Sequence, residues 1–188
     1  PQYSYMKVIR ETLPDDGIVV DEVTQLGYIL WYGYPVHQPR RLVSSGFSGT
    51  LGYGFPTALG VKVANPDRPV VSVTGDGGFL FGGSDLSTAM QFGINLVTVV
   101  VNNASYGNVK RDQERLYEGR HSGAVLHNPD FQAYARSFGV PAWRVETADA
   151  FRGALREALA ADSPAVIEVM SDIDKDYPPY KFHQPRLP

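Results

Sequence analysis

Two residues of this sequence have the types and the setting for joint chemistry: Asp76, in the run Gly75-Asp76-Gly77-Gly78, and Asn103, the second residue of Asn102-Asn103. A carboxylate, an amide oxygen and backbone bared by glycine suit a hard cation that holds a phosphate group. Each follows an apolar, β-rich run: Val70-Val71-Ser72-Val73-Thr74 before the first glycine, and residues 96–101 before Asn102. Such runs read as fully buried strands of a parallel sheet, joined here by one crossover helix. A right-handed crossover brings the carboxyl ends of both strands to one edge. Open α/β sheets bind their ligands at that edge.

The remaining segments supply the elements that must hold these strands. Residues 3–13 have helical spacing, with Tyr5, Val8, Ile9 and Thr12 on one side, and stop at Pro14-Asp15-Asp16-Gly17. Residues 18–21 form a short apolar strand that delivers Val23, Thr24 and Gln25 to a strand end, where a helix start offers free N–H groups to an anion. The aromatic run 28–34 reads as core packing followed by a solvated loop, and His37 as a surface or packing histidine. Residues 41–43 make another short strand. The glycine- and serine-rich run 44–54 signals exposed, close-approach backbone, and a helix follows over 55–64. Ser84 is a plausible N-cap with Asp85 in the first turn, and Leu86, Ala89 and Met90 give the helix a sheet-facing stripe. Residues 103–109 read as a loop, and the charged stretch 110–121 as a solvated, mobile segment. Asn128-Pro129-Asp130 caps a helix through Phe138. A strand over 140–145, a Thr147-capped helix over 148–161 and a last strand over 165–170 complete the pattern. The expected fold is a three-layer α/β/α sandwich around a mostly parallel sheet of about six strands.

The spacing at the rim is specific. Gly-Asp-Gly, 24 intervening residues (78–101), then Asn-Asn resembles the signature of thiamine diphosphate (ThDP) enzymes. The resemblance implies that Asp76, Asn103 and the carbonyl of Ser105 hold Mg²⁺ against the cofactor's diphosphate. It places Val23, Thr24, Gln25, Gly75, Gly77, Gly78, Tyr106 and Gly107 around the same group. The run Gly49-Thr50-Leu51-Gly52-Tyr53-Gly54 is similar to the acetohydroxyacid synthase branch of the family. There Leu51 bends the cofactor into a V shape and the Gly49 carbonyl accepts from its aminopyrimidine. One departure stands out. A tryptophan that shapes the second-substrate site in that branch falls, nine residues after Asn103, on Asp112 here.

The resemblance also implies what the chain lacks. A glutamate from a separate pyrimidine-binding domain activates the cofactor in this family, and no glutamate here lies in a comparable motif. The 188 residues are therefore expected to be one diphosphate-binding domain, with a core over 1–172 and an irregular proline-rich tail over 173–188. It would be part of a larger enzyme, as the opening Pro1-Gln2-Tyr3 without an initiator Met also suggests. The missing half would come from the same or a partner chain in a dimer or tetramer, and the isolated domain would be inert. The implied reaction is decarboxylation or carboligation of a 2-oxo acid. Alternatives are a ThDP-dependent lyase on a substrate such as an acyl-CoA, and a non-catalytic phosphate- or nucleotide-binding module.

Composition narrows the partners. A net charge of −3 argues against nucleic acid or an anionic membrane, and no apolar run is long enough to cross a bilayer. With no cysteine, disulfides and thiolate metal sites are excluded, which fits the cytoplasm.

Overall fold

The structure, a computed structural model, describes residues 2–172; the proline-rich tail 173–188 lies outside the described residues. The elements run α1 (Gln2–Thr12), β1 (Ile18–Asp21), α2 (Gln25–Gly33), β2 (Leu42–Val43), α3 (Gly54–Ala64), β3 (Val70–Gly75), α4 (Asp76–Gly82), α5 (Leu86–Gln91), β4 (Val97–Asn102), α6 (Gly107–Leu116), α7 (Phe131–Ser137), β5 (Ala142–Val145), α8 (Ala148–Ala160) and β6 (Ala165–Met170). All six strands join one sheet in the order β2-β1-β3-β4-β6-β5, and every pairing is parallel. The α/β fold expected from the sequence is therefore present.

Alternation along the strands divides the core in two. One face presents Val19, Val71, Val73, Val99, Val101, Ile167 and Val169 to α1, α2 and α8. The other packs Val20, Val70, Val100 and Val166 against α3, α4, α5 and α7, where Phe79 meets Phe55 and Phe131 edge-on at 5.3 and 5.9 Å between ring centres. Helices on both faces explain why the strands read as continuous apolar runs. The chain leaves β1 toward β2 on one side and continues through β3 and β4 on the other. The reversal falls between β1 and β3, which is where a ligand crevice belongs in such folds.

Several sequence expectations need correction. Ser84 is not an N-cap: a helix begins at Asp76 itself, a 3-10 turn spans Gly83–Asp85, and no side chain caps α5. The N-cap falls on Gly75, nine residues before Ser84, because Gly77 and Gly78 let the first turn of α4 press against its neighbours. Met90 leaves the sheet-facing stripe and is 38% exposed, while Leu86 and Ala89 stay buried. Residues 28–33 are helical, with Tyr32 on the outer side of α2. The stretch begun at Gly107 folds as a helix rather than a loose segment, although none of its residues is buried. The caps at Asp130 and Thr147 form as expected, Asp130 accepting from the amides of Gln132 and Ala133 and Thr147 from that of Ala150.

Candidate functional site

Three strand ends open onto one pocket of about 390 Å³. From β1 come Val23, Thr24 and Gln25, at the start of α2; from β3 come Gly75, Asp76, Gly77 and Gly78; from β4 come Asn103, Ser105, Tyr106 and Gly107. Gly49 and Leu51 close the rim from the loop before α3. Every residue that the sequence assigns to the cofactor or its metal thus lines this one pocket. Tyr28, Phe81, Val101, Asn108 and Val109 line it as well, although the sequence assigns none of them individually to the cofactor. Asp76 and Asn103 share an edge because β3 and β4 pair in register, Gly75 beside Val101.

Leu51 is half-buried and belongs to neither core cluster, so it is not an ordinary core leucine. His37 lies away from the pocket, paired with Asp15 at 2.7 Å on the surface.

The loop bearing Leu51 is tied down by Glu22. This fully buried carboxylate accepts from the amides of Gly54 at 2.7 Å and Gly52 at 3.1 Å. Burial pushes its carboxyl above the ordinary range, and the two amides offset part of that. A Cβ on Gly78 would lie 1.6 Å from Glu22 Oε1, so glycine there is a condition of this packing. A Cβ on Gly77 would lie 2.5 Å from the Tyr106 ring.

Asp76 is 3% exposed at the first position of α4. Its Oδ1 accepts from the Gly77 amide at 2.9 Å and its Oδ2 from Asn128 Nδ2 at 2.7 Å. Burial raises its carboxyl from the ordinary value, and these hydrogen bonds work in the opposite direction. Asn103 Oδ1 accepts from both the amide and the hydroxyl of Ser105 at 3.1 Å, which fixes the β4 loop against the pocket. Among the described residues, no three His, Cys, Asp or Glu side chains cluster in a way that could hold a metal. A cation here would rely on one carboxylate, neutral oxygens and oxygens of its own ligand, the coordination that favours a metal held together with a phosphate.

Residues 22–169 match the family described as thiamine pyrophosphate enzyme, C-terminal TPP binding domain. The chain belongs to this family. As a thiamine pyrophosphate enzyme domain it resembles the acetolactate synthase large subunit of Haemophilus influenzae, with 42% identity over 88% of the chain and 29% of the relative. It also resembles the acetolactate synthase large subunit of Lactococcus lactis, at 34% identity over the same shares. Among solved structures, the thiamine diphosphate-dependent 4-hydroxybenzoylformate decarboxylase of Rhodococcus jostii superposes with a TM-score of 0.83 at 33% identity, covering 91% of this chain and 32% of that one. The chain thus spans less than a third of the length of these relatives. None of its described helices is long and apolar enough to cross a membrane.

Proposed function

We propose that this TPP-binding domain is the diphosphate-holding half of an enzyme that decarboxylates or ligates a 2-oxo acid, and that it holds ThDP through Mg²⁺. The observation that carries the proposal is the shared pocket of Asp76 and Asn103 at the ends of adjacent strands. The donor set fits the group: Asp76, the Asn103 amide oxygen and the Ser105 carbonyl would hold the cation beside the diphosphate. The N–H groups at the starts of α2 and α4, with Thr24, Gln25, Gly77, Gly78, Tyr106 and Gly107, would receive the phosphate oxygens. Leu51 would prop the cofactor's rings, and the Gly49 carbonyl would accept from its aminopyrimidine. When bound, ThDP supplies the electron sink for breaking or making the bond beside the substrate carbonyl. Asp76 would hold the metal and move no proton.

The activating glutamate would come from a pyrimidine-binding domain of the same or a partner chain, within a cytoplasmic dimer or tetramer. The isolated domain would be inert. The relatives' names favour a lyase or transferase on 2-oxo acids over an acyl-CoA lyase or a non-catalytic nucleotide-binding module. Asp112 replaces the tryptophan of the acetohydroxyacid synthase branch and lies on the exposed helix α6, paired with Arg115. That departure keeps the proposal at the level of 2-oxo acids.

Thermal shift tests the binding. Mg²⁺ with ThDP is expected to raise the melting temperature, whereas NAD or ATP with Mg²⁺ does not, since only a ligand of the folded state stabilises by mass action. Asp76→Ala is expected to abolish the response. An equal response to ATP would overturn the assignment.

A further inference from the structure

We infer that Asn128 is a positioning residue that orients the Asp76 carboxylate toward the pocket, as the last link of a hydrogen-bond chain anchored on the Arg144–Glu168 ion pair; this rests on the reading of Asp76 as the metal-binding carboxylate. Asn128 lies in the loop before α7, 52 residues after Asp76, and its Nδ2 donates both to Asp76 Oδ2 at 2.7 Å and to Asn102 Oδ1 at 2.9 Å. Asn102 in turn donates from its Nδ2 to Glu168 Oε1 at 2.7 Å, and Arg144 Nε donates to Glu168 Oε2 at 2.7 Å. Glu168 is fully buried in β6, while Arg144 on β5 reaches solvent.

Chemistry fixes the direction of every link. A guanidinium only donates and an ionised carboxylate only accepts, so Glu168 must receive from Asn102 as well as from Arg144. Asn102 therefore turns its amide nitrogen to Glu168 and leaves its oxygen facing Asn128. That oxygen also receives the Ala104 amide at 3.0 Å. Asn128 now faces two acceptors, Asn102 Oδ1 and Asp76 Oδ2, and must present its NH₂ to both. A flipped amide would set its oxygen against a carboxylate and a carbonyl together.

The consequence falls on Asp76. A side chain with two rotatable bonds at the first position of a short helix has no fixed direction of its own. The Gly77 amide holds one oxygen and Asn128, arriving from a distant loop, holds the other. Together, one donor on each oxygen, they fix the carboxylate plane. An amide is suited to this task because it donates without adding charge. A lysine would neutralise the carboxylate and compete with a cation, and an aspartate would repel it. Partners of this kind around metal-binding groups change metal affinity by about 10–100-fold when removed.

Asn128→Leu keeps the branching at Cγ and removes the donor, and Asn128→Gln restores an amide. Crystal structures of the ligand-free full chain are expected to show the Asp76 carboxylate rotated from its wild-type orientation in Asn128→Leu. Thermal shift with saturating ThDP and increasing Mg²⁺ is expected to show half-saturation at about tenfold or more higher Mg²⁺ in Asn128→Leu, with part of this recovered in Asn128→Gln. An unmoved carboxylate together with half-saturation within twofold of wild type would overturn the inference. If wild type itself ignores Mg²⁺ and ThDP, the cofactor reading falls, and the carboxylate orientation alone decides the role of Asn128. Should Asn128→Leu fail to fold, Asn128→Gln and Asn128→Ser carry the same two measurements, with the orientation expected to follow the reach of the donor.

Discussion

On the face of the sheet covered by α1, α2 and α8, strands β3, β4 and β6 carry only aliphatic side chains; on the opposite face, the same three strands carry Ser72, Thr74, Thr98, Asn102 and Glu168. Toward the carboxyl ends, Thr74 stands beside the Glu22 carboxylate, and Asn102 links Glu168 to Asn128, the partner of Asp76. Because side chains alternate along a strand, one run of sequence serves both purposes, giving an oil-like contact below and a directed polar array above. The comparison teaches a division of labour. The aliphatic side holds the strands in place, and the other side aims the groups that face the pocket.

The largest expected effect lies on the aliphatic side. Phe151 is fully buried there and meets Tyr5 edge-on at 5.6 Å. Phe151→Ala is expected to cost about 3–5 kcal/mol in urea unfolding, while the Mg²⁺ and ThDP response of the folded fraction stays within twofold of wild type. Loss of that response would break the division.

On the polar side, Arg144→Met strands the buried Glu168 charge. The expected loss is about 2–3 kcal/mol, below that of a wholly buried pair because Arg144 is 40% exposed. Urea unfolding of Arg144→Met beside Arg144→Met/Glu168→Leu checks it: removing both charges should recover part of the loss.

Gly78→Ala forces the new methyl into Glu22 and is expected to cost about 1–3 kcal/mol. It should also weaken the thermal response to ThDP with Mg²⁺, because Glu22 anchors the loop that carries Leu51. A full response would separate that loop from the pocket.

The smallest effect concerns Asp21. Burial raises its carboxyl above 3.8, with Trp31 and Ser44 nearby offsetting this in part, yet neither of its oxygens has a partner within hydrogen-bond distance among the described residues. The folded chain therefore binds this proton more tightly than the unfolded chain. The associated stability is complete below the unfolded value and is lost as pH rises through the folded one. Asp21→Asn is expected to raise stability by about 1 kcal/mol at pH 7 and to converge with wild type in acid. Melting temperatures across a pH series read this directly. A remaining decline belongs to Glu22 and Asp76, which shift in the same direction.

How far the sequence disclosed all this depended on range. Strands β3 and β4 announced themselves through β-branched runs, and the interval between Asp76 and Asn103 placed both at one edge. The helix at Asp76 stayed hidden because glycines that break helices in isolation are here required by the neighbours they touch. Asn128 showed only as part of a helix cap, since nothing local indicates that its loop folds back across the end of β3. Glu168, on the last strand, carries no motif that marks it in the sequence. Its burial follows from β6 lying between β4 and β5, an order set by the whole chain. Glu22 was set aside as having no catalytic setting, and its hold on the Gly52 and Gly54 amides depends on a contact across 30 residues.

The pocket draws on segments after β1, before α3, after β3 and after β4, with Asn128 braced behind it from a fifth. No single hairpin or helix pair contains it, so partial unfolding of any contributing segment destroys it. Occupancy should therefore slow amide hydrogen exchange across β1, β3, β4 and β6 together, including amides far from any bound atom. The central strands would then respond to the ligand as one cooperative block.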